Sequence, residues 1–129
     1  MSYPQLLTTD EKAAAAKYAL ELPPIVVICG STRFMADMVE ADLELTASGY
    51  IVVKPGCDMK QPHALWADPA DAERIKTALD KLHRAKIRLA DDVLVVGDYI
   101  GDSTRGEIAY ARELGKPIRF THPEVDPGH

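Results

Sequence analysis

The sequence predicts an α/β domain built on a parallel sheet. Apolar, β-branched runs alternate with segments of helical periodicity, the pattern of linked βαβ units. The strongest runs, Ile25-Val26-Val27-Ile28-Cys29 and Val93-Leu94-Val95-Val96, are continuous rather than alternating, as in strands covered on both faces. Glycine follows each of them, at Gly30 and Gly97. The length of 129 residues fits a single domain.

In chain order, Thr8 to Leu20 reads as a first helix. Thr8 and Glu11 have capping-box spacing, and Pro23-Pro24 stops the helix because proline cannot continue it. The Ile25–Cys29 strand follows. Gly30-Ser31-Thr32 turns into a second helix over about Arg33 to Ala47, with Phe34, Met38, Ala41 and Leu45 on one stripe. Gly49 suits a left-handed helix stop. Tyr50 to Lys54 reads as the second strand, and Cys57 to Pro69 as a long loop of the kind that often forms a lid or binding surface. A third helix is expected from about Asp71 to Ala90. The Val93–Val96 strand leads into a glycine-bearing polar loop, Gly97 to Thr104. A fourth helix then covers about Arg105 to Leu114, and Lys116 to Thr121 forms a short last strand. His122 to His129 is polar and reads as a flexible tail.

Right-handed crossovers and four strands favour the order 2-1-3-4, a three-layer arrangement of Rossmann-like or flavodoxin-like kind. Ligands bind such sheets beyond the carboxyl ends of the strands, where the strand order reverses. Here that point lies between the first and third strands, so the loops Gly30–Arg33 and Gly97–Thr104 are the expected binding loops.

Composition excludes several functions. Lys and Arg number 15 against 20 Asp and Glu, a net charge of −5, which argues against a nucleic-acid polymer as partner. No apolar run approaches the roughly 20 residues that cross a bilayer, and no secretion signal is seen at the N-terminus. The two cysteines, Cys29 and Cys57, make no disulfide framework, so a reduced, cytoplasmic protein is expected. No His, Cys, Asp and Glu spacing suggests a metal, and the Gly30 loop matches neither an ATP nor an NAD glycine signature.

The first loop, Cys29-Gly30-Ser31-Thr32-Arg33, combines a close-approach glycine, two hydroxyls, helix-start amides and a guanidinium, which suits an anion. Ser31 or Thr32 could equally serve only as a helix cap. The second loop gathers Asp98, Asp102 and Glu107. A carboxylate facing a sugar C1′ can act as a nucleophile, and a second can protonate the leaving group. Thr104 and Glu107 also have capping-box spacing, and Asp98 and Asp102 could be turn-stabilising residues. His63 and Trp66 could close over a ligand or simply dock on the core, and His83 reads as a surface or satisfied histidine.

Beyond this residue-level reading, Cys29-Gly30-Ser31-Thr32, Ala90-Asp91-Asp92 and Gly101-Asp102-Ser103-Thr104-Arg105-Gly106-Glu107-Ile108-Ala109-Tyr110-Ala111 resemble the nucleoside 2-deoxyribosyltransferase superfamily. The similarity is greatest to its short bacterial and phage branch, related to the 2′-deoxynucleoside 5′-monophosphate N-glycosidases. The resemblance implies Glu107 as the nucleophile that attacks C1′ of the sugar, with Asp98 or Asp102 protonating the base. It implies substrate contacts from Cys29, Gly30, Ser31, Thr32, Arg33, Gly101, Ser103 and Thr104, among which Ser31, Thr32, Arg33 and Ser103 match positions that hold a 5′-phosphate. It further implies a nucleoside or nucleotide as the small-molecule partner, no cofactor, and a homodimer or higher homo-oligomer. The expected activity is therefore N-glycosidic bond cleavage or transfer. The alternative is a nucleotide-binding module that senses its ligand without turning it over.

Overall fold

The computed structural model describes residues 6–128. Four strands, β1 (Ile25–Cys29), β2 (Ile51–Val53), β3 (Asp92–Val95) and β4 (Ile118–Phe120), form a wholly parallel sheet in the order β2-β1-β3-β4. The helices are α1 (Thr9–Ala19), α2 (Met35–Ala47), α3 (Pro69–Leu89) and α4 (Asp102–Glu113). The expected strand order is the observed one. No helix among the described residues is long and apolar enough to cross a membrane.

The period-2 geometry of strands sorts the β-branched residues between two cores. Ile25, Val27 and Cys29 point toward Ile87, Ile108 and Ala111 of α3 and α4. On the other face, Ile28 packs with Met38 of α2 and with Val96, Phe34 and Leu45. All of β1 is buried, which explains why its sequence does not alternate. Helix α1 buries no residue. Lys17 ties it to the sheet through the Leu89 carbonyl at 2.6 Å and the Asp91 carboxylate at 3.1 Å.

Local signals account for most element ends. Thr8 and Glu11 form the expected capping box. The end of α1 differs from expectation: it stops at Ala19, ahead of the prolines. Glu21 adopts φ +56°, and the amides of Glu21 and Leu22 reach back to the carbonyls of Tyr18 and Lys17. This is the Schellman arrangement normally made with glycine. Helices α2 and α4 end in the same way at Gly49 and Gly115.

Helix α3 starts at Pro69 rather than near Asp71. Asp68 caps it by accepting from the Ala70 amide at 2.8 Å, with proline at the first turn, where its missing N–H costs nothing. The long loop before it carries a 3-10 turn, Ala64–Trp66. There the Trp66 indole donates to the Gln61 carbonyl at 2.8 Å and its ring lies 4.9 Å from His63.

Helix α4 also starts earlier than expected, at Asp102 behind Gly101. Segment 122–128, expected as a tail, holds contacts of its own. Arg112 makes two hydrogen bonds to the Asp126 carboxylate, at 2.7 and 2.8 Å, and Val125 packs on the α3/α4 core.

Candidate active site

The carboxyl ends of β1 and β3 are redirected by Gly30 and Gly97, with φ of +149° and +106°. Both positions exclude a side chain. A Cβ on Gly30 would sit 2.6 Å from the Val96 carbonyl oxygen, and one on Gly97 would sit 2.3 Å from the Phe34 ring. The two loops can therefore lie close together at the switch point. A cavity of about 850 Å³ opens beside them, a size typical of small-molecule sites. Its walls come from Gly30 and Thr32, from Pro55 and Gly56, from Cys57, Met59 and Lys60 of the long loop, from one face of α3, and from Ser103, Thr104 and Glu107 of α4.

Glu107 projects from the second turn of α4. Because the helix begins at Asp102, Thr104 is already its third residue and cannot act as the N-cap. The capping-box role considered for Glu107 is thus not realised. Its carboxylate lies 3.4 Å from His83 Nε2, and its side chain keeps 19% of its surface exposed, toward the cavity.

His83 is buried and partnered, the satisfied rather than the surface histidine of the two readings. It belongs to the stripe Ile75, Leu79, His83, Ile87, four residues apart on the inner face of α3. Its Nε2 also lies 3.3 Å from Cys29 Sγ. Cys29, wholly buried at the end of β1, lies below the cavity rather than on its wall. Burial pushes its thiol well above its ordinary value, and the Glu107 carboxylate adds to this by its charge and by accepting a hydrogen bond from the thiol.

The other expected residues divide. Gly30, Thr32, Ser103, Thr104 and Glu107 meet at the cavity. Ser31 caps the short 3-10 turn Thr32–Phe34 by accepting from the Arg33 amide, and the Lys60 ammonium approaches its hydroxyl at 3.4 Å. Arg33 turns away from the cavity and stacks 4.1 Å over the Tyr99 ring, bracing the first loop against the second. Gly101 is the N-cap residue of α4. Asp98 and Asp102 are exposed and do not line the cavity, whose acidic wall residues besides Glu107 are Glu73 and Asp80. His63 and Trp66 lie outside it, whereas Cys57, Met59 and Lys60 of the same loop line it.

His83 and Lys60 are the site residues that sequence reasoning missed. A histidine on an apolar helical stripe was the available signal for the first. Nothing local marked the second, which reaches the site only through the path of its loop.

One solved structure settles the architecture. The fold is that of a 2-deoxyribosyltransferase. The likeness is to the enzyme of the psychrotolerant bacterium Bacillus psychrosaccharolyticus, described as a biocatalyst for nucleoside synthesis. The TM-score is 0.59 and the identity 20%, over 77% of this chain and 72% of that one. No family model matches the sequence, and no curated protein matches it.

Proposed function

We propose that this protein cleaves or transfers the N-glycosidic bond of nucleosides or nucleoside 5′-monophosphates, with Glu107 as nucleophile. The observation that carries this reading is the position of Glu107. It stands in the second turn of α4, uncommitted to a helix cap, with its carboxylate on the wall of the switch-point cavity. The shared fold with a deoxyribosyltransferase supports the same chemistry.

In the proposed cycle a Glu107 oxygen attacks C1′ as the bond from C1′ to the base nitrogen breaks. The base leaves with a proton from an acid, and a glycosyl ester on Glu107 remains. Water then completes a hydrolase cycle, or a second base a transferase cycle. His83 Nε2, facing Glu107, fixes the orientation of the carboxylate. The acid role falls to Asp98 or Asp102. Neither lines the cavity; Asp98 would reach the bound base by movement of the loop between Gly97 and Gly101, and Asp102 by movement of the first turn of α4. Thr32, Ser103 and Lys60 line the same cavity and would contact the sugar 5′ end.

The test is chromatography of free base after incubation with deoxynucleosides and deoxynucleoside monophosphates, with and without an acceptor base. Release that disappears in Glu107→Gln supports the reading, and dependence on acceptor separates transfer from hydrolysis. Undiminished release in a folded Glu107→Gln protein overturns it. So does thermal stabilisation by a nucleotide with no base released, which is the behaviour of a sensing module.

A further inference from the structure

We propose that Cys29 Sγ, His83 Nε2 and Glu107 Oε2 form a binding site for a zinc-class divalent cation, with the remaining coordination position open to the cavity. The three donor atoms all lie within 4.8 Å of one another, although their residues stand far apart in sequence on β1, α3 and α4. The sulfur and oxygen are 3.3 and 3.4 Å from the same imidazole nitrogen. Bonds of about 2.0–2.3 Å at tetrahedral angles place neighbouring ligand atoms roughly 3.3–3.6 Å apart. The two edges that meet at His83 Nε2 therefore match a tetrahedral face, and the third, from sulfur to carboxylate oxygen, is no longer than 4.8 Å.

An imidazole Nε2 offers one bonding position, either a proton or a lone pair, yet it faces two partners. A cation at the centre meets all three donors at once. The donor set selects the metal class. Thiolate and imidazole with one carboxylate suit zinc or cobalt(II), whereas magnesium and calcium require oxygen ligands. Burial of Cys29 and His83 fixes two ligands on packed elements. Three protein ligands and one open position match a reactive zinc site rather than a closed structural one. On binding, the thiol proton passes to solvent, the sulfur coordinates as thiolate, and His83 coordinates through its Nε2 lone pair.

A consequence follows that rests on the function proposed above. Glu107 cannot hold the cation and attack C1′ at the same time, so the metal inhibits glycosyl transfer.

Titration of the chelator-treated full chain with cobalt(II), without substrate, tests the site independently of activity. The expected result is one cobalt per chain, with a sulfur-to-cobalt charge-transfer band and visible bands of tetrahedral intensity. The charge-transfer band should vanish in Cys29→Ser, and affinity should fall more than about 100-fold in His83→Ala. Cys57→Ser should leave the spectrum unchanged. Far-ultraviolet circular dichroism checks that each variant folds, and either variant at Cys29 or His83 suffices if the other does not. Absence of the band in the unmodified chain, its persistence in folded Cys29→Ser, or its loss in Cys57→Ser overturns the site. If base release is measurable, zinc should stop it and chelator restore it. If no base is released while the cobalt spectrum forms, the cation site stands and the glycosyl-transfer reading falls.

Discussion

The two ends of the sheet each hold a carboxylate beside a nitrogen partner, and they use it in opposite ways. At the amino ends of the strands, Asp91 accepts from the Ile25 amide at 2.8 Å and from Lys17 at 3.1 Å. Lys17 also holds the Leu89 carbonyl, and Lys116 holds the carbonyls of Arg88 and Ala90. Most of these bonds end on backbone, so the cluster fastens chain segments to one another. At the carboxyl ends, Glu107 and His83 meet through side chains alone, above a buried thiol and beside a cavity. A polar cluster bonded to backbone is built for stability. One that leaves donor atoms facing open space retains bonding capacity for a ligand.

The comparison breaks most sharply at Glu107. Glu107→Gln is expected to lower base release roughly 10³-fold or more while barely moving the melting temperature. A large stability loss with activity intact, measured by thermal melting beside the chromatographic assay, would make the two ends alike. Next comes Gly97→Ala. The new methyl would enter the Phe34 ring on a left-handed backbone, and a stability loss of about 2–4 kcal/mol is expected in urea unfolding. His83→Ala should lower kcat by up to about 100-fold through misplacement of Glu107, with KM little changed. An equal loss in KM would assign His83 to substrate binding.

The opposite end gives the smaller effects. Asp91→Ala should cost about 1–2 kcal/mol, chiefly from the orphaned Ile25 amide, because the half-exposed ion pair with Lys17 is screened. Activity should not change. Asp91 also sets a pH dependence. Its burial opposes ionisation, but the Ile25 amide and the Lys17 and Lys116 charges prevail and hold its carboxyl below the usual range. A lowered folded-state value means its contribution is complete above the unfolded value. The contribution fades as pH falls through the folded one. Stability curves below about pH 4 should therefore be flatter in Asp91→Ala than in the parent.

How legible each end was in the sequence follows from the range of its interactions. The sheet order came from strand runs and from crossover handedness, both readable along the chain. Glu107 was visible through its local motif, yet the same Thr104-x-x-Glu107 spacing also permitted a cap. Only the start of α4 at Gly101 and Asp102 decides between those roles, and helix starts are weakly encoded when no side chain caps them, as here. His83 was obscured because its partners, Cys29 and Glu107, come from other elements. Asp98 and Asp102 were grouped with Glu107 by sequence proximity, but Asp98 sits in the loop ahead of α4 and Asp102 at the helix start, and neither lines the cavity that Glu107 faces. The local bonds that define Asp68 as a cap and Glu21 as a left-handed stop likewise depend on backbone geometry that residue type alone does not specify.

The central strand has one more consequence. Ile25-Val26-Val27-Ile28-Cys29 is uncharged, β-branched and wholly shielded in the fold, the composition that stacks readily into intermolecular fibrils once released. Pro23 and Pro24 on one flank and Gly30 on the other act as gatekeepers. The β2 and β4 edges are only three residues long, with Arg119 in the middle of β4, so the native sheet offers little template for recruitment. Irreversible loss on heating should accordingly depend on this strand. Recovery after a thermal cycle should fall as protein concentration rises, and a charge introduced at Val26 should improve solubility of the unfolded chain even as it destroys the fold.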